Sequence, residues 1–189
     1  MADPQRKSMT VEEFFAWQID QEERYELVDG VPIPLRGMTG ASNRHDVIVV
    51  NVIGFLWTQL RGSRCRVATA DTAVRTSIGG VRRSDVTVDC APPEPGSHEA
   101  QAPTLAVEVL SPSNRPSDRQ RKVEEYKRLP TLLYILFLEP AAMRAVLLER
   151  TEEGWRDEAF EGPDAVVGLP RIGATLALRD VYDGAPLEG

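Results

Sequence analysis

The sequence predicts a mixed α/β fold, a central mixed β-sheet flanked by helices with extra β-hairpins, in one domain of residues 1–189. Three observations carry this reading. Thr104–Leu110 is an almost continuous apolar run of strand length, the pattern of a strand buried on both faces. Ser84–Cys90 alternates, with Val86, Val88 and Cys90 on one side and Asp85, Thr87 and Asp89 on the other. Segments of helical character, about 42–60 and 117–129, lie before and after these strands, so helices and strands interleave. At 189 residues, the chain can bury a core without metal or disulfide staples.

The remaining elements follow in order. Thr10-Val11-Glu12-Glu13 is a capping box ahead of Phe14, Phe15 and Trp17, which predicts a short first helix. Tyr25–Val28 and Val31–Leu35 read as two strands joined by a tight Asp29-Gly30 turn, and Pro32 and Pro34 put the second at a sheet edge. Ser42 is placed to cap a helix running to about Leu60, with His45, Val49, Val52 and Leu56 at helical spacing. Cys65–Thr69 and Thr72–Thr76 are expected to pair as strands. A loop over Pro92–Pro103 leads into Thr104–Leu110, and a helix over 117–129 follows. Leu132–Leu138, Arg144–Glu149 and Trp155–Phe160 complete the strands, and a short helix is expected near Leu178–Tyr182.

Composition narrows the function classes. The longest apolar run, Leu132–Leu138, is far short of the ~20 residues that span a bilayer. The polar start, MADPQRKSMT, has no apolar core of an export signal, so a cytoplasmic protein with free buried thiols at Cys65 and Cys90 is expected. Two cysteines without a CxxC and two histidines exclude a zinc finger. Net charge is −7, yet residues 30–128 hold fourteen Lys+Arg against ten Asp+Glu. Arg61, Arg64, Arg66, Arg75, Arg82 and Arg83 face only Asp71, and a second cluster includes Arg115, Arg119, Arg121 and Lys122. Such basic stretches suit phosphate contact, or equally a solvated surface in an arginine-rich chain.

Glu108 carries the chemistry. A glutamate inside Leu105–Leu110 is costly if buried without a partner, so it is expected to bind a metal, pair with a cation or cap a polar site. Asp85 lies on the preceding strand, off its core face, 23 residues earlier. Two carboxylates on neighbouring strands can share a hard cation, since Mg²⁺ takes one or two protein carboxylates and fills the rest with water and phosphate. An internal ion pair between Glu108 and an Arg or Lys is the other reading. Lys122, one of three lysines, sits on the helix that follows.

The order Tyr25–Gly30, His45 on a helix, Ser84-Asp85-Val86 and Ala106–Ser113, then Asp118, Lys122, Tyr126 and Arg179–Tyr182, resembles the Uma-two family of putative restriction endonucleases, within the PD-(D/E)XK nuclease superfamily. The resemblance spans about residues 9–183. It implies a restriction-endonuclease-like sheet, frequent homodimers, and DNA as substrate with Mg²⁺ or Mn²⁺ as cofactor. By position it assigns the metal to Asp85 and Glu108. The usual lysine two residues after Glu108 is replaced by Leu110, and the family is thought to supply it from the next helix, at Lys122. Glu26 matches an acidic position near the metal, and His45 could touch phosphate or assist a proton transfer. Arg82, Arg83, Arg115 and Arg119 are the expected nucleic-acid contacts. No membrane and no small-molecule cofactor are expected. A non-catalytic nucleic-acid-binding module on a nuclease fold, or a structural homo-oligomer, are the competing functions.

Overall fold

The computed structural model describes residues 8–35, 43–76, 79–110 and 116–186. The expected cap Ser42, residues 111–114 and Arg115 lie outside the described residues. The capping box forms as expected. Glu13 N donates to Thr10 Oγ1 at 3.1 Å and Thr10 N to Glu13 Oε2 at 2.9 Å, starting α1 (Val11–Gln18). Asp29 and Gly30 both take positive φ, 50° and 73°, and this turn joins β1 (Tyr25–Val28) to β2 (Val31–Pro34). α2 (Asn43–Leu60) precedes β3 (Arg66–Thr69), β4 (Val74–Arg75), β5 (Val81–Arg82) and β6 (Val86–Asp89). Then come β7 (Pro103–Val109), α3 (Pro116–Lys127), β8 (Tyr134–Glu139), β9 (Arg144–Thr151) and β10 (Gly154–Glu161). β11 (Val166–Leu169), a 3-10 turn at Pro170–Ile172, β12 (Ala174–Ala177) and α4 (Leu178–Val181) close the described chain.

The main sheet has the order β10-β9-β8-β7-β6-β3. β7, buried at every position, runs parallel to β8, with α3 as the crossover, and every other pair is antiparallel. The alternation of β7 divides its environment. Leu105, Val107 and Val109 join Val86, Val88 and the α2 stripe Ile48, Val52, Leu56 and Leu60 in the larger core. Ala106 faces the other way, toward Tyr126 of α3 with Ile135 and Phe137. A second sheet, β2-β1-β5-β4, carries Leu27 and Val81 against Phe14 of α1, with proline-bearing β2 at its edge as expected. Among the described residues no helix is long and apolar enough to cross a membrane.

Two expectations are corrected. Residues 65–69 do not pair with 72–76: β3 lies on β6, Val67 opposite Val88, while β4 joins β5 because Ala73 and Val74 pack into the two cores beyond the main sheet's α2 face. Cys65 and Cys90 are not free thiols. Arg66 stands opposite Asp89 in the β3–β6 pair, so the next residues outward are the two cysteines, and they are disulfide-bonded. Asp89, on the non-core side of the alternating strand, is also fully buried. It accepts the amides of Ala91, Gln101 and Ala102 at 2.9–3.1 Å and pairs with Arg66 at 2.6 Å, pinning the 91–102 loop.

Candidate active site

β6 and β7 pair with Thr87 opposite Ala106 and Val86 opposite Val107, so one step further Asp85 comes across from Glu108. Side chains directly opposite on an antiparallel pair project to the same face with Cβ atoms about 4.5–5.5 Å apart. Asp85 is anchored there by its Oδ2, which accepts the Val109 amide at 2.7 Å. The two carboxylates that the sequence singles out therefore share one end of the sheet. Leu110 lies on the Glu108 side, packed against the cluster of Ala106 and Phe137.

α3 brings a lysine to Glu108. Lys122 and Tyr126 are four residues apart and project from one helical face. Lys122 Nζ stands 3.2 Å from both oxygens of Glu108, and the Tyr126 hydroxyl donates to Glu108 Oε1 at 2.9 Å. The same ammonium lies 3.2 Å from Glu26 Oε1 on β1. Glu26 is itself gripped by Arg82 Nη1 at 2.9 Å and the Arg83 amide at 3.0 Å. Arg82 turns its remaining donors to Glu125, at 2.5 and 2.8 Å. A buried ladder thus runs Glu108–Lys122–Glu26–Arg82–Glu125, and Arg121 continues it outward from Glu125 to Asp29.

Charge in this ladder is tuned by burial against pairing. Burial pushes Glu108 up to about 7, the charges of Asp85 and Glu26 add to the rise, and Lys122 and Tyr126 oppose it. Burial would also raise Glu26, but Lys122, Arg82 and the Arg83 amide more than reverse it and hold that carboxyl below its usual range. Lys122 is raised, its burial outweighed by Glu108 and Glu26. His45, near the start of α2, places Nε2 3.5 Å from Asp85 Oδ2 and Nδ1 3.7 Å from Asp46 Oδ1. The Asp85 hydrogen bond raises its pKa in spite of partial burial.

The donor set suits a hard cation held partly by water. Asp85 and Glu108 offer carboxylate oxygens on one sheet end, and the charges of Asp85 and Glu26 add to the burial that raises Glu108. Among the described residues no three His, Cys, Asp or Glu side chains gather closely enough to hold a metal ion. Asp85, Glu108, Lys122, Glu26 and His45 are brought together. Arg82 and Arg83 are corrected as nucleic-acid contacts: they are 4% and 6% exposed, Arg82 spent on Glu26 and Glu125, Arg83 on the carbonyls of Tyr25, Ala70 and Asp71. Arg75 is likewise tied to Glu12 and Glu99, and Arg24 to Asp71. Arg119 remains near the site, its guanidinium carbon 4.3 Å from the ring centre of Phe137, which pairs with Glu108 in β8. Thr87 binds Ser84 at 2.6 Å rather than either carboxylate.

Sequence reasoning misses Glu125 and the reach of Arg82. Their only trace is weak: Arg82 alternates with Val81 on a two-residue strand, and Glu125 lies three residues after Lys122.

Three comparisons bear on this geometry. Protein slr1290 of Synechocystis sp., itself described as uncharacterized, is 28% identical over 179 residues, covering 93% of this chain and 92% of its own. A crystal structure described as a "putative nuclease belonging to DUF820", from Anabaena variabilis, superposes with a TM-score of 0.74 at 17% identity, over 93% of this chain and 98% of that one. At that identity the likeness establishes a shared fold. The family model described as "putative restriction endonuclease" matches residues 11–179, and the chain therefore belongs to the Uma2 family.

Proposed function

We propose that this protein is a divalent-metal-dependent DNA endonuclease, with Asp85 and Glu108 as metal ligands and Lys122 as the catalytic cation. The observation that carries the reading is the Lys122 ammonium, 3.2 Å from a buried Glu108 that stands across the strands from Asp85. A bound Mg²⁺ or Mn²⁺ would supply polarisation of a phosphodiester oxygen and a water of lowered pKa. The chain's own groups do the rest. The Lys122 ammonium, steered by Glu108 and Glu26, donates to the phosphoryl oxygens as their charge grows. Arg82, braced by Glu125, and the Arg83 amide hold Glu26 ionised and in place, which keeps Lys122 protonated and aimed. His45, beside Asp85, is positioned to donate to a neighbouring phosphate oxygen or to assist a proton transfer. Arg119 offers an outer cation for a flanking phosphate.

The test is nicking of supercoiled plasmid with and without Mg²⁺, comparing the native chain with Asp85→Ala. Magnesium-dependent nicking lost in the variant is the expected result. Nicking that survives Asp85→Ala would assign the activity elsewhere. Binding to duplex DNA with Ca²⁺ in place of Mg²⁺ should weaken steeply with salt. A folded protein with no DNA affinity at low salt would overturn the substrate class.

A further inference from the structure

At the other end of β6, the turn after α2 carries a constellation that the nuclease reading does not use. Cys90 lies five residues along the chain from Asp85, roughly 16 Å at strand rise. After Leu60, Gly62 turns the chain with φ of 77°, and the Cys65 amide donates to Ser63 Oγ at 3.0 Å. This sets Cys65 at the head of β3, the edge strand of the main sheet. A surface hollow of about 230 Å³ opens at that point, lined by Trp57, Arg61, Cys65 and Arg66 among others. Cys65 lines it; Cys90 does not.

That asymmetry matters because a disulfide is opened by a thiolate that reaches one of its two sulfurs. The hollow gives such an approach to Cys65. Its charge selects the nucleophile. From Trp57 to Val67 the chain holds Arg61, Arg64 and Arg66 and no acidic residue. Arg66 is neutralised by Asp89 and Arg64 does not line the hollow, so the charge an incoming ligand meets there is that of Arg61, exposed and lying 4.8 Å over the Trp57 ring. Trp57 is 55% exposed and offers an apolar wall beside it.

We propose that Cys65 is a thiol-exchange site for a small anionic thiol, a peptide thiol bearing carboxylates, docked against Arg61 and Trp57. The ligand's thiolate sulfur attacks Cys65 Sγ, the Sγ–Sγ bond breaks, and Cys90 Sγ leaves as a thiolate that takes a proton from water. The products are a mixed disulfide at Cys65 and a free Cys90 thiol, with no net change of oxidation state in that step. A second equivalent of thiol attacks the ligand sulfur, releasing the oxidised ligand and the Cys65 thiol. Two ligand thiols have then been oxidised and the protein disulfide reduced.

The test uses the full chain purified without reductant, glutathione as the anionic probe and cysteamine as a cationic one. Rates on the folded chain are divided by rates on the urea-unfolded oxidised chain, which cancels the intrinsic reactivity of each thiol. Intact mass and peptide mapping should show one adduct, on Cys65. The normalised rate should favour glutathione by about fivefold, the scale of one charge acting at close range in water. Arg61→Glu should collapse that preference while cysteamine reacts at least as fast as before. An adduct on Cys90, a bridge that resists both thiols, a preference unchanged by Arg61→Glu, or two free thiols in the air-purified protein would each overturn the proposal. The readout is adduct mass, so it stands or falls apart from DNA cleavage.

Discussion

The two faces of β7 use the same backbone for opposite ends. Toward α2, Leu105, Val107 and Val109 meet Ile48, Val52, Leu56 and Leu60, hydrocarbon against hydrocarbon. Toward α3, Glu108 meets Lys122 and Tyr126, and behind them stand Glu26, Arg82 and Glu125, all buried except Lys122, which is partly so. The α2 face stabilises by removing apolar area from water, about 25 cal/mol per Å². The α3 face gains little stability from its charges, because desolvating a buried ion pair costs about as much as the pairing returns. A face that contributes little to stability and still keeps five charged groups in register is the face where chemistry is expected.

The comparison breaks most sharply at Glu108. Glu108→Ala should lower DNA cleavage by at least about 10³-fold, roughly 4 kcal/mol of transition-state stabilisation, while leaving the melting temperature within a few degrees of the parent. The stability is kept because Lys122 retains Glu26 as its partner at 3.2 Å. If thermal denaturation instead fell as far as for a core truncation, the ladder would be a structural ion pair and the nuclease reading would lose its main support.

Leu56→Ala is the mirror experiment on the other face. Leu56 is fully buried in the α2 stripe, and its truncation should cost about 3 kcal/mol, within the usual ~2–5 for such changes. Urea denaturation should read this loss, with cleavage per folded molecule unchanged. A matching fall in turnover would mean that α2 transmits its packing to His45 and Asp85.

How much of this contrast was legible in the sequence follows from its range. The face division of β7 is local: period-two alternation puts Glu108 with Ala106 and Leu110, against Leu105, Val107 and Val109. The capping box and the Asp29-Gly30 turn are local too, and both form. Asp85 and Glu108 were legible as a pair because each breaks or ends an apolar pattern. Lys122 stood out as one of three lysines, on the helix after Glu108, and took its role from the resemblance, together with Leu110 occupying the usual place. Strand pairing is long-range, and there the reading fails. β3 pairs with β6 rather than with its sequence neighbour, and β5, β11 and β12 are too short, or too interrupted by Gly168, to show a period. Arg82 and Arg83 read as a surface patch because Glu125, the partner that buries Arg82, lies 43 residues away.

Titration sharpens the comparison further. Glu108 is raised from 4.5 to about 7, so the folded chain holds its proton where the unfolded chain has released it. Its contribution is favourable below 7 and is lost as pH rises from 4.5 through about 7, a swing of about 3 kcal/mol at 1.36 kcal/mol per unit. His45, raised above 6.5, adds in the same direction: its share is present below 6.5 and lost as pH climbs through its folded value. Glu26 is lowered, so its share is lost only on acidification below 4.5 and leaves this window alone. In chelator, stability from urea denaturation should therefore fall between pH 5 and pH 8, and Glu108→Gln should flatten most of the slope. Mn²⁺ affinity should run the opposite way, rising across pH 7 as Glu108 ionises. An unchanged slope in Glu108→Gln would assign the titration to another group.

The smallest effect expected is that of Tyr126→Phe, and it separates positioning from catalysis. The ring is fully buried and keeps its packing against Ala106, Ile135 and Phe137 when the hydroxyl is removed. What is lost is one donor, 2.9 Å from Glu108 Oε1, and that oxygen keeps Lys122 Nζ at 3.2 Å. The stability change should be about 1 kcal/mol, the net worth of one hydrogen bond. The hydroxyl also opposes the rise of Glu108, so its removal moves that carboxyl further up, and fewer molecules hold the ionised form at neutral pH. Cleavage should fall several-fold at pH 7 and return to the parent rate about one unit higher, with the midpoint of the pH–rate profile displaced upward. A deficit that persists at every pH would show that the hydroxyl acts on the reacting phosphate itself, and the α3 face would then hold one more working group than its charges alone suggest.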